Sequence, residues 1–336
     1  MTALTIIYLR FFMKEILPHI YMGTIPAEKS TQNDVNIYMI RQGEQALFID
    51  CGYDTSSSLT FFEHVFDNFG LRPEKTALLL THYHIDHVGM VWWFRQKGAA
   101  IYMSAPEYED ARTGLTRIRT DIGYTCGFHD AEISIIGQRV FDPRDYRPFF
   151  HDVKVLSPGD VLAIGPYRLQ AMALPGHTPG QLGLYEAAHG ILFCGDHIIR
   201  HLAPVILTET RDQHFLHIYE EALQHVADLH LRWLFPAHND TICGEADILK
   251  AIDDIRISYR HLCGTVRLVL KTSRHPLTAY EITCKIYHRT RTELRPVLGL
   301  RQYLMAQKVL TCLEALYDEG KLHRDTDRHG ALIYWQ

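Results

Sequence analysis

The sequence predicts a layered α/β domain followed by a smaller module of helices and a hairpin. Short runs of β-forming residues alternate with amphipathic helical segments up to about residue 244. This alternation is typical of sheets covered by helices, and the tight turns between several strands add hairpins. Near residue 263 the pattern changes to helices and then paired short strands, which predicts a second domain.

The elements of the first domain follow one another closely. A hairpin is predicted at 36–50 around Gly43, and a helix with aromatic residues at helical spacing ends at Gly70. The remaining predictions are strands at 77–80, 100–103, 153–174, 182–185, 191–194 and 233–235, and helices at 88–97 and 215–231. Residues 104–151 mix charge, glycine and aromatic side chains, and we interpret them as an inserted lid beside a site.

The C-terminal residues predict a winged-helix module. Thr278 and Glu281 match a capping box at a helix start. The apolar side chains between Tyr303 and Tyr317 recur at three- and four-residue steps and line one helix face. A two-stranded wing then runs from Leu322 to Trp335. We therefore expect a catalytic domain at 1–262 and a winged-helix domain at 263–336.

Bulk properties argue against several classes of protein. The net charge of −5 is spread along the chain without a basic run, so no nucleic-acid or membrane partner is indicated. The C-terminal module is more basic, but its acids are interleaved, which favours a packing role over RNA binding. Seven scattered cysteines without a Cys-x-x-Cys pair argue against a disulfide framework and fit a reducing cytoplasm.

The N-terminal segment from Leu4 to Met13 is apolar but short. Arg10 interrupts it, and no small-residue cleavage site follows, so it matches neither a membrane span nor a signal peptide. We interpret Met13 as the natural start and the preceding twelve residues as an upstream extension.

The strongest chemical motif is the segment Thr81-His82-Tyr83-His84-Ile85-Asp86-His87-Val88-Gly89 after a buried strand. On an extended backbone His82 and His84 point to one side because side chains alternate. A turn into the next helix directs the side chains of Asp86 and His87 away from the side to which His82 and His84 point. Imidazole and carboxylate groups suit Zn and related metals. A solvated loop in a chain with 21 histidines is the alternative, but the spacing favours ligands to two neighbouring metals.

Three further segments each end a strand with a candidate ligand. His177 lies in a Gly/Pro-rich turn, Asp196 follows Cys194-Gly195, and His238 follows Pro236-Ala237. Each segment alone is weak evidence for a metal ligand, because loop histidines are usually solvated and Gly-Asp is a common turn. Their order along the chain completes a pattern with the first motif.

This order of motifs resembles the metallo-β-lactamase superfamily over about residues 15–244. The resemblance implies a four-layer αβ/βα sandwich with the site at one edge of two facing sheets. It implies a first metal on His82, His84 and His177, a second on Asp86, His87 and His238, and Asp196 as the bridge. A carboxylate at position 196 is similar to the glyoxalase II, lactonase and ribonuclease branches. The Trp92-Trp93 segment and the C-terminal module resemble bacterial glyoxylase-like hydrolases.

The resemblance implies a binuclear metal-dependent hydrolase that uses a metal-bridging hydroxide on a small thioester, ester or lactone. The cysteine pattern adds the expectation that the protein is cytoplasmic. Its cofactors are expected to be two divalent metal ions, zinc first, with iron or manganese as alternatives. Asp86 is the candidate general acid–base, and His197 is a candidate substrate contact.

Three other functions stay open at this point: an RNA-binding ribonuclease or phosphodiesterase, an iron-dependent persulfide or oxygen redox enzyme, and a non-enzymatic scaffold. The substrate and the oligomeric state, a homo-oligomer included, also stay open. Specificity is expected in residues 104–151 and in the loop after Asp196.

Overall fold

The computed structural model describes residues 12–27, 33–114, 120–140, 144–206 and 215–336, which form two compact units. The first unit holds the described residues within Met1–Leu115, Arg144–Arg200 and Val226–Ala251. The second holds those within Thr116–Pro143, His201–His225 and Ile252–Gln336. The predicted extension before Met13 lies outside the described residues, apart from Phe12.

A seven-stranded sheet in the first unit keeps its strands in sequence order. The strands from β1 to β4 pair antiparallel, and those from β4 to β7 pair parallel. Antiparallel pairing of β3 with β4 confirms the predicted hairpin. The strands are β1 (Lys14–Leu17), β2 (Ile20–Ile25), β3 (Val35–Gln42), β4 (Gln45–Ile49), β5 (Thr76–Leu79), β6 (Ala100–Met103) and β7 (Lys154–Val155).

Helix α1 (Ser56–Phe69) packs its aromatic face against this sheet. The Thr55 side chain caps its first turn, and Gly70 ends it in the left-handed region at φ 58°. Phe62 is fully buried, with its ring centroid 5.8 Å from that of Phe48. The same core takes side chains from the helices that follow, which are α2 (Ile85–Val88), α3 (Val91–Gln96) and α4 (Ala105–Gly114).

A six-stranded sheet faces the first across an apolar core. That core joins Tyr38, Leu47 and Leu79 of the first sheet to Phe193 and Phe235 of the second. Two facing sheets with helices confirm the layered α/β architecture. In sheet order the strands are β13 (Ile242–Cys243), β12 (Trp233–Pro236), β11 (Ile191–Gly195), β10 (Leu182–Glu186), β9 (Tyr167–Ala173) and β8 (Val161–Ile164).

The second unit is mainly helical. Its core includes a stack of Phe128 on Tyr280, with ring centroids 4.1 Å apart. A small sheet of order β14-β16-β15 completes it. The elements that lie within it are α5 (Thr120–Cys126), α6 (Asp130–Val140), α9 (Ala279–Ile286), α10 (Arg291–Leu294), α11 (Leu300–Asp318), β14 (Leu277–Thr278), β15 (His323–Thr326) and β16 (Leu332–Trp335). Helices α7 (Phe215–Ala227) and α8 (Glu245–Lys271) belong partly to each unit.

The structure confirms the C-terminal elements individually. The reciprocal capping box joins Thr278 and Glu281, and β15 pairs antiparallel with β16 as the predicted wing. Assignment as a winged-helix domain with a boundary at residue 262 stays a prediction, and that position lies inside α8. No helix in the described ranges is both long and apolar enough to cross a bilayer.

Two predicted helices have the wrong bounds. The helix expected at 88–97 is divided into α2 and α3, with Gly89 between them. A Cβ on Gly89 would lie 2.6 Å from the carbonyl oxygen of Gly52, so this segment follows the neighbouring backbone closely. The helix expected at 215–231 ends at Ala227, and His230 has a positive φ of 50° that no α-helix accommodates.

The predicted lid at 104–151 is not one structural piece. Residues 104–114 and 144–151 belong to the first unit, and 120–140 belong to the second. Residues 115–119 and 141–143 lie outside the described part of the chain. Its role as a lid stays a prediction.

Candidate metal centre

The candidate ligands all follow the carboxyl ends of strands. His82 and His84 follow β5, His177 follows β9, Asp196 follows β11 and His238 follows β12. Because β4 and β5 are parallel, as are β11 and β12, these strand ends meet at one edge of the facing sheets. The structure therefore brings the sequence-predicted side chains together.

The loop after β5 changes direction as its sequence predicts. His84 keeps an extended backbone as the residue before α2, whereas Asp86 and His87 lie within that one-turn helix. His82 and His87 are fully buried, and His84 and Asp86 are partly exposed. One short loop thus directs two pairs of side chains into different parts of the site.

Three histidines form the first group of ligand atoms. His82 Nε2 and His177 Nε2 each lie 3.0 Å from His84 Nδ1. All three nitrogens are within 4.8 Å of one another. Nitrogen atoms this close to one another fit a shared cation.

Asp86, His87 and His238 form the second group. Asp86 Oδ2 lies 3.8 Å from His87 Nε2 and 3.4 Å from His238 Nε2. These atoms also lie within 4.8 Å of one another.

Asp196 lies between the two groups. Its Oδ2 is 3.5 Å from His177 Nε2, and its Oδ1 is 3.5 Å from His87 Nε2 and 3.4 Å from His238 Nε2. One carboxylate therefore faces histidines of both groups through different oxygens.

Hydrogen bonds fix three imidazoles with a lone pair directed into the site. His87 Nδ1 donates to Asp50 Oδ2 at 2.8 Å, and His238 Nδ1 donates to the Asp34 carbonyl at 2.7 Å. Thr81 Oγ1 donates to Asp50, so it accepts from His82 Nδ1 at 3.0 Å. In the neutral rings this leaves Nε2 of each histidine as the acceptor, which is the arrangement that metal-bound histidines adopt.

The buried polar atoms at the centre also fit a divalent metal. His87 Nε2 and Asp196 Oδ1 are buried and lie 3.5 Å apart, but neither has a hydrogen-bond partner of good geometry within the described part of the chain. An unsatisfied buried acceptor is costly, and coordination to a cation would relieve that cost. The donor set of imidazoles and carboxylates suits zinc, iron or manganese.

The pKa shifts differ between the two groups. Burial and the neighbouring His177 together lower the pKa of His84 to about 3. Burial also opposes protonation of His87, but the carboxylates of Asp50, Asp196 and Asp86 raise its pKa to about 10. The second group therefore concentrates negative charge, which attracts a metal cation as it attracts a proton.

Two residues of the site were missed by the sequence analysis. Asp50, at the end of β4, accepts from His87 and also from the Thr81 amide at 2.8 Å. Its position after a buried strand, in Asp50-Cys51-Gly52, is the signal that could have found it. Tyr53 is buried beside Asp86; burial and that carboxylate raise the pKa of its hydroxyl. No local motif marks Tyr53.

His197 is fully buried beside the first group. Burial lowers its pKa to about 3, and the neighbouring His177 contributes. Its role as a substrate contact stays a prediction. Cys194 is also buried and directs its Sγ towards the Ile198 carbonyl at 3.5 Å.

Facing sheets with a His and Asp cluster at one edge define the class of fold and site. A family model of the metallo-beta-lactamase superfamily matches residues 30–238. The chain belongs to the metallo-beta-lactamase superfamily, as the motif order predicted.

Curated relatives match about half of the chain. Acyl-coenzyme A thioesterase MBLAC2 of Bos taurus is 29% identical over 173 residues, covering 49% of this chain and 58% of the relative. Hydroxyacylglutathione hydrolase GloC of Haemophilus influenzae is 28% identical over 131 residues, covering 36% and 48%. The chain thus spans about half the length of the curated relatives it matches.

Solved structures match nearly the whole chain in fold. A metallo-beta-lactamase family protein from Thermus thermophilus has a TM-score of 0.75 at 21% identity, covering 96% of this chain and 100% of that one. A beta-lactamase domain protein from Burkholderia ambifaria has the same TM-score and identity, covering 97% and 95%. The likeness covers the C-terminal helical region as well as the sheets.

Proposed function

We propose that this protein is a metal-dependent hydrolase that binds two divalent metal ions and cleaves a small thioester, ester or lactone. The observation that carries the proposal is Asp196, whose two oxygens face the two histidine-containing groups. The names of the relatives, an acyl-coenzyme A thioesterase and a hydroxyacylglutathione hydrolase, favour an acyl compound as substrate.

The proposed ligands are those that the motifs predict. His82, His84 and His177 would hold one metal, Asp86, His87 and His238 the other, and Asp196 both. Zinc is the expected metal, with iron or manganese as alternatives. When bound, such metals lower the pKa of coordinated water towards ~7 and polarise a carbonyl oxygen.

The chain's own residues would orient the reaction and move the proton. Asp86 has the most exposed carboxylate of the site, with 20% of its side chain accessible against 9% for Asp196. We therefore assign Asp86 the acceptance of a proton from the attacking water. As the acyl carbon–sulfur or carbon–oxygen bond breaks, the same carboxyl group would return that proton to the leaving group. Asp50 would keep His87 oriented throughout.

A substrate panel tests this proposal. The purified protein, supplied with zinc or with iron, is assayed with an acyl-coenzyme A, an S-acylglutathione, a lactone, an activated phosphodiester and a persulfide. Hydrolysis of an acyl substrate that stops with chelator and returns with zinc is the expected result. Cleavage of the phosphodiester alone would support the ribonuclease alternative, and activity on a persulfide with iron alone would support the redox alternative.

A further inference from the structure

Glu107, on α4, has a buried carboxylate that the metal-site assignment does not use. Its side chain is fully buried. In the described part of the chain its carboxylate accepts hydrogen bonds from the backbone amides of Tyr83 and Gly180. Burial raises the pKa of Glu107 to about 8, although these donors favour the charged form. Such a costly group calls for a structural or functional reason.

The two oxygens of Glu107 hold two different loops. Oε2 accepts from the Tyr83 amide at 2.9 Å, and Oε1 accepts from the Gly180 amide at 2.8 Å. Tyr83 lies between His82 and His84 in sequence. Gly180 ends the turn that carries His177. One side chain therefore links the backbones on either side of the first histidine group.

A second contact reinforces the same link. Ser104 Oγ donates to the Gly180 carbonyl at 2.7 Å and accepts from the Glu107 amide at 3.3 Å. A Cβ on Gly180 would lie 2.7 Å from Pro106 Cβ, so only glycine permits this close approach of the turn to the start of α4. The start of α4 and the turn that carries His177 therefore pack closely against each other.

We propose that Glu107 is a positioning residue that holds the two loops so that His82, His84 and His177 converge on one metal. This inference rests on the proposed function. It concerns chiefly the first metal group, because the amides that Glu107 accepts from lie between His82 and His84 and in the turn of His177. Asp86 and His87 follow in α2, where the His87 amide donates to the His84 carbonyl instead.

Glu107→Gln is the first test, because an amide keeps the shape but replaces one acceptor by a donor. Only one backbone amide can then be satisfied. Removing such an outer partner typically weakens metal binding 10–100-fold. Glu186→Gln is the matched control, since Glu186 is also buried in the first unit and accepts the His189 amide at 2.8 Å.

The measurement is a zinc titration of the metal-free proteins against a chromophoric chelator. We expect Glu107→Gln to raise one of the two zinc dissociation constants by roughly 10–100-fold and to leave the other near wild type. Glu186→Gln should retain both constants. A general loss of stability would weaken both sites together, so the selective change distinguishes positioning from a purely structural role.

Hydrogen exchange of the metal-free proteins supplies a readout without zinc. The Tyr83 and Gly180 amides should exchange faster in Glu107→Gln than in wild type. If that variant does not fold, Glu107→Asp retains two acceptors on a shorter side chain and should weaken the same single site. Wild-type zinc affinity at both sites in a folded variant would overturn the inference. Absence of zinc binding by the wild-type protein would instead overturn the proposed function on which it rests.

Discussion

The site combines exposed and buried carboxylates with different tasks. Asp86 and Asp196 face the histidine nitrogens directly, whereas Asp50 lies behind His87 and bonds its other ring nitrogen. The sequence predicted the first two because they stand in a recognisable motif order. It did not identify Asp50, because the 37-residue separation from His87 is closed only by the parallel pairing of β4 with β5.

Replacing Asp50 by asparagine tests this buried support. The new amide would present a donor to His87 Nδ1 or to the Thr81 amide, both of which already donate. We expect metal affinity to fall 10–100-fold, as for other outer partners of metal ligands. Competition titration with a chelator measures the change. Asp160→Asn, in an exposed turn where Asp160 accepts the Ser157 amide, is the control, and equal affinities would refute the role of Asp50.

Glu314 in the second unit predicts a pH effect on stability. Burial raises its pKa above 4.5, while the Tyr334 hydroxyl and Arg324 oppose the shift. The folded state therefore binds the proton more tightly than the unfolded state does, so stability falls as the pH rises above about 4.5. Unfolding midpoints between pH 4 and 7 should show a shallower decline for Glu314→Gln than for wild type. An identical slope in both proteins would contradict this assignment.

At the scale of elements, the aromatic face of α1 packs against the first sheet. Phe62 is fully buried, with ring centroids 4.9 Å from Phe94 and 5.1 Å from Phe61. The helical spacing of Leu59, Phe62, Phe66 and Phe69 made the helix predictable, because a single apolar face needs a sheet to cover it. Which rings meet depends on the sheet twist and could not be predicted.

Phe62→Ala should reduce the free energy of unfolding by about 3–5 kcal/mol, because it leaves a cavity among packed rings. Denaturant unfolding followed by tryptophan fluorescence measures the loss, since Trp93 stacks on Phe62 at 5.8 Å. Leu268→Ala is the control. Leu268 is 64% exposed, so its truncation should cost no more than about 0.5 kcal/mol. Equal losses in the two variants would contradict the packing described.

Strands were predicted better than helix ends. Buried strands have short apolar runs bounded by turn residues, and that signal is local. The break at Gly89 reflects its close approach to the Gly52 carbonyl, and the early end of α7 coincides with a left-handed residue at His230. The first depends on backbone that is distant in sequence, and the second on a local backbone conformation. The periodicity of apolar residues indicates neither.

At the scale of the whole molecule, each of the two compact units is built from segments that are not continuous in sequence. The second unit takes residues from three parts of the chain, whereas composition indicated one change near residue 263. A composition change marks where the pattern alters, but it carries no information on which earlier loops pack with the later helices. The ligand loops all belong to the first unit.

Metal binding should stabilise the folded chain, because the seven proposed ligands converge only when four strand ends meet. Ligand at 100 times its dissociation constant adds about 2.7 kcal/mol. Differential scanning calorimetry should therefore show a lower Tm after chelation and recovery with zinc. The shift should be smaller in Asp50→Asn. A Tm indifferent to chelator and zinc would argue against a folded-state metal site.

The most direct test of the central claim is metal content per chain by plasma mass spectrometry, for wild type and Asp196→Ala. The arrangement of Asp196 between two ligand groups predicts about two divalent ions per wild-type chain. It also predicts a clear fall in the metal content of Asp196→Ala, together with loss of most hydrolytic activity. Two ions and undiminished turnover in Asp196→Ala, or no metal in wild type after reconstitution, would contradict the account.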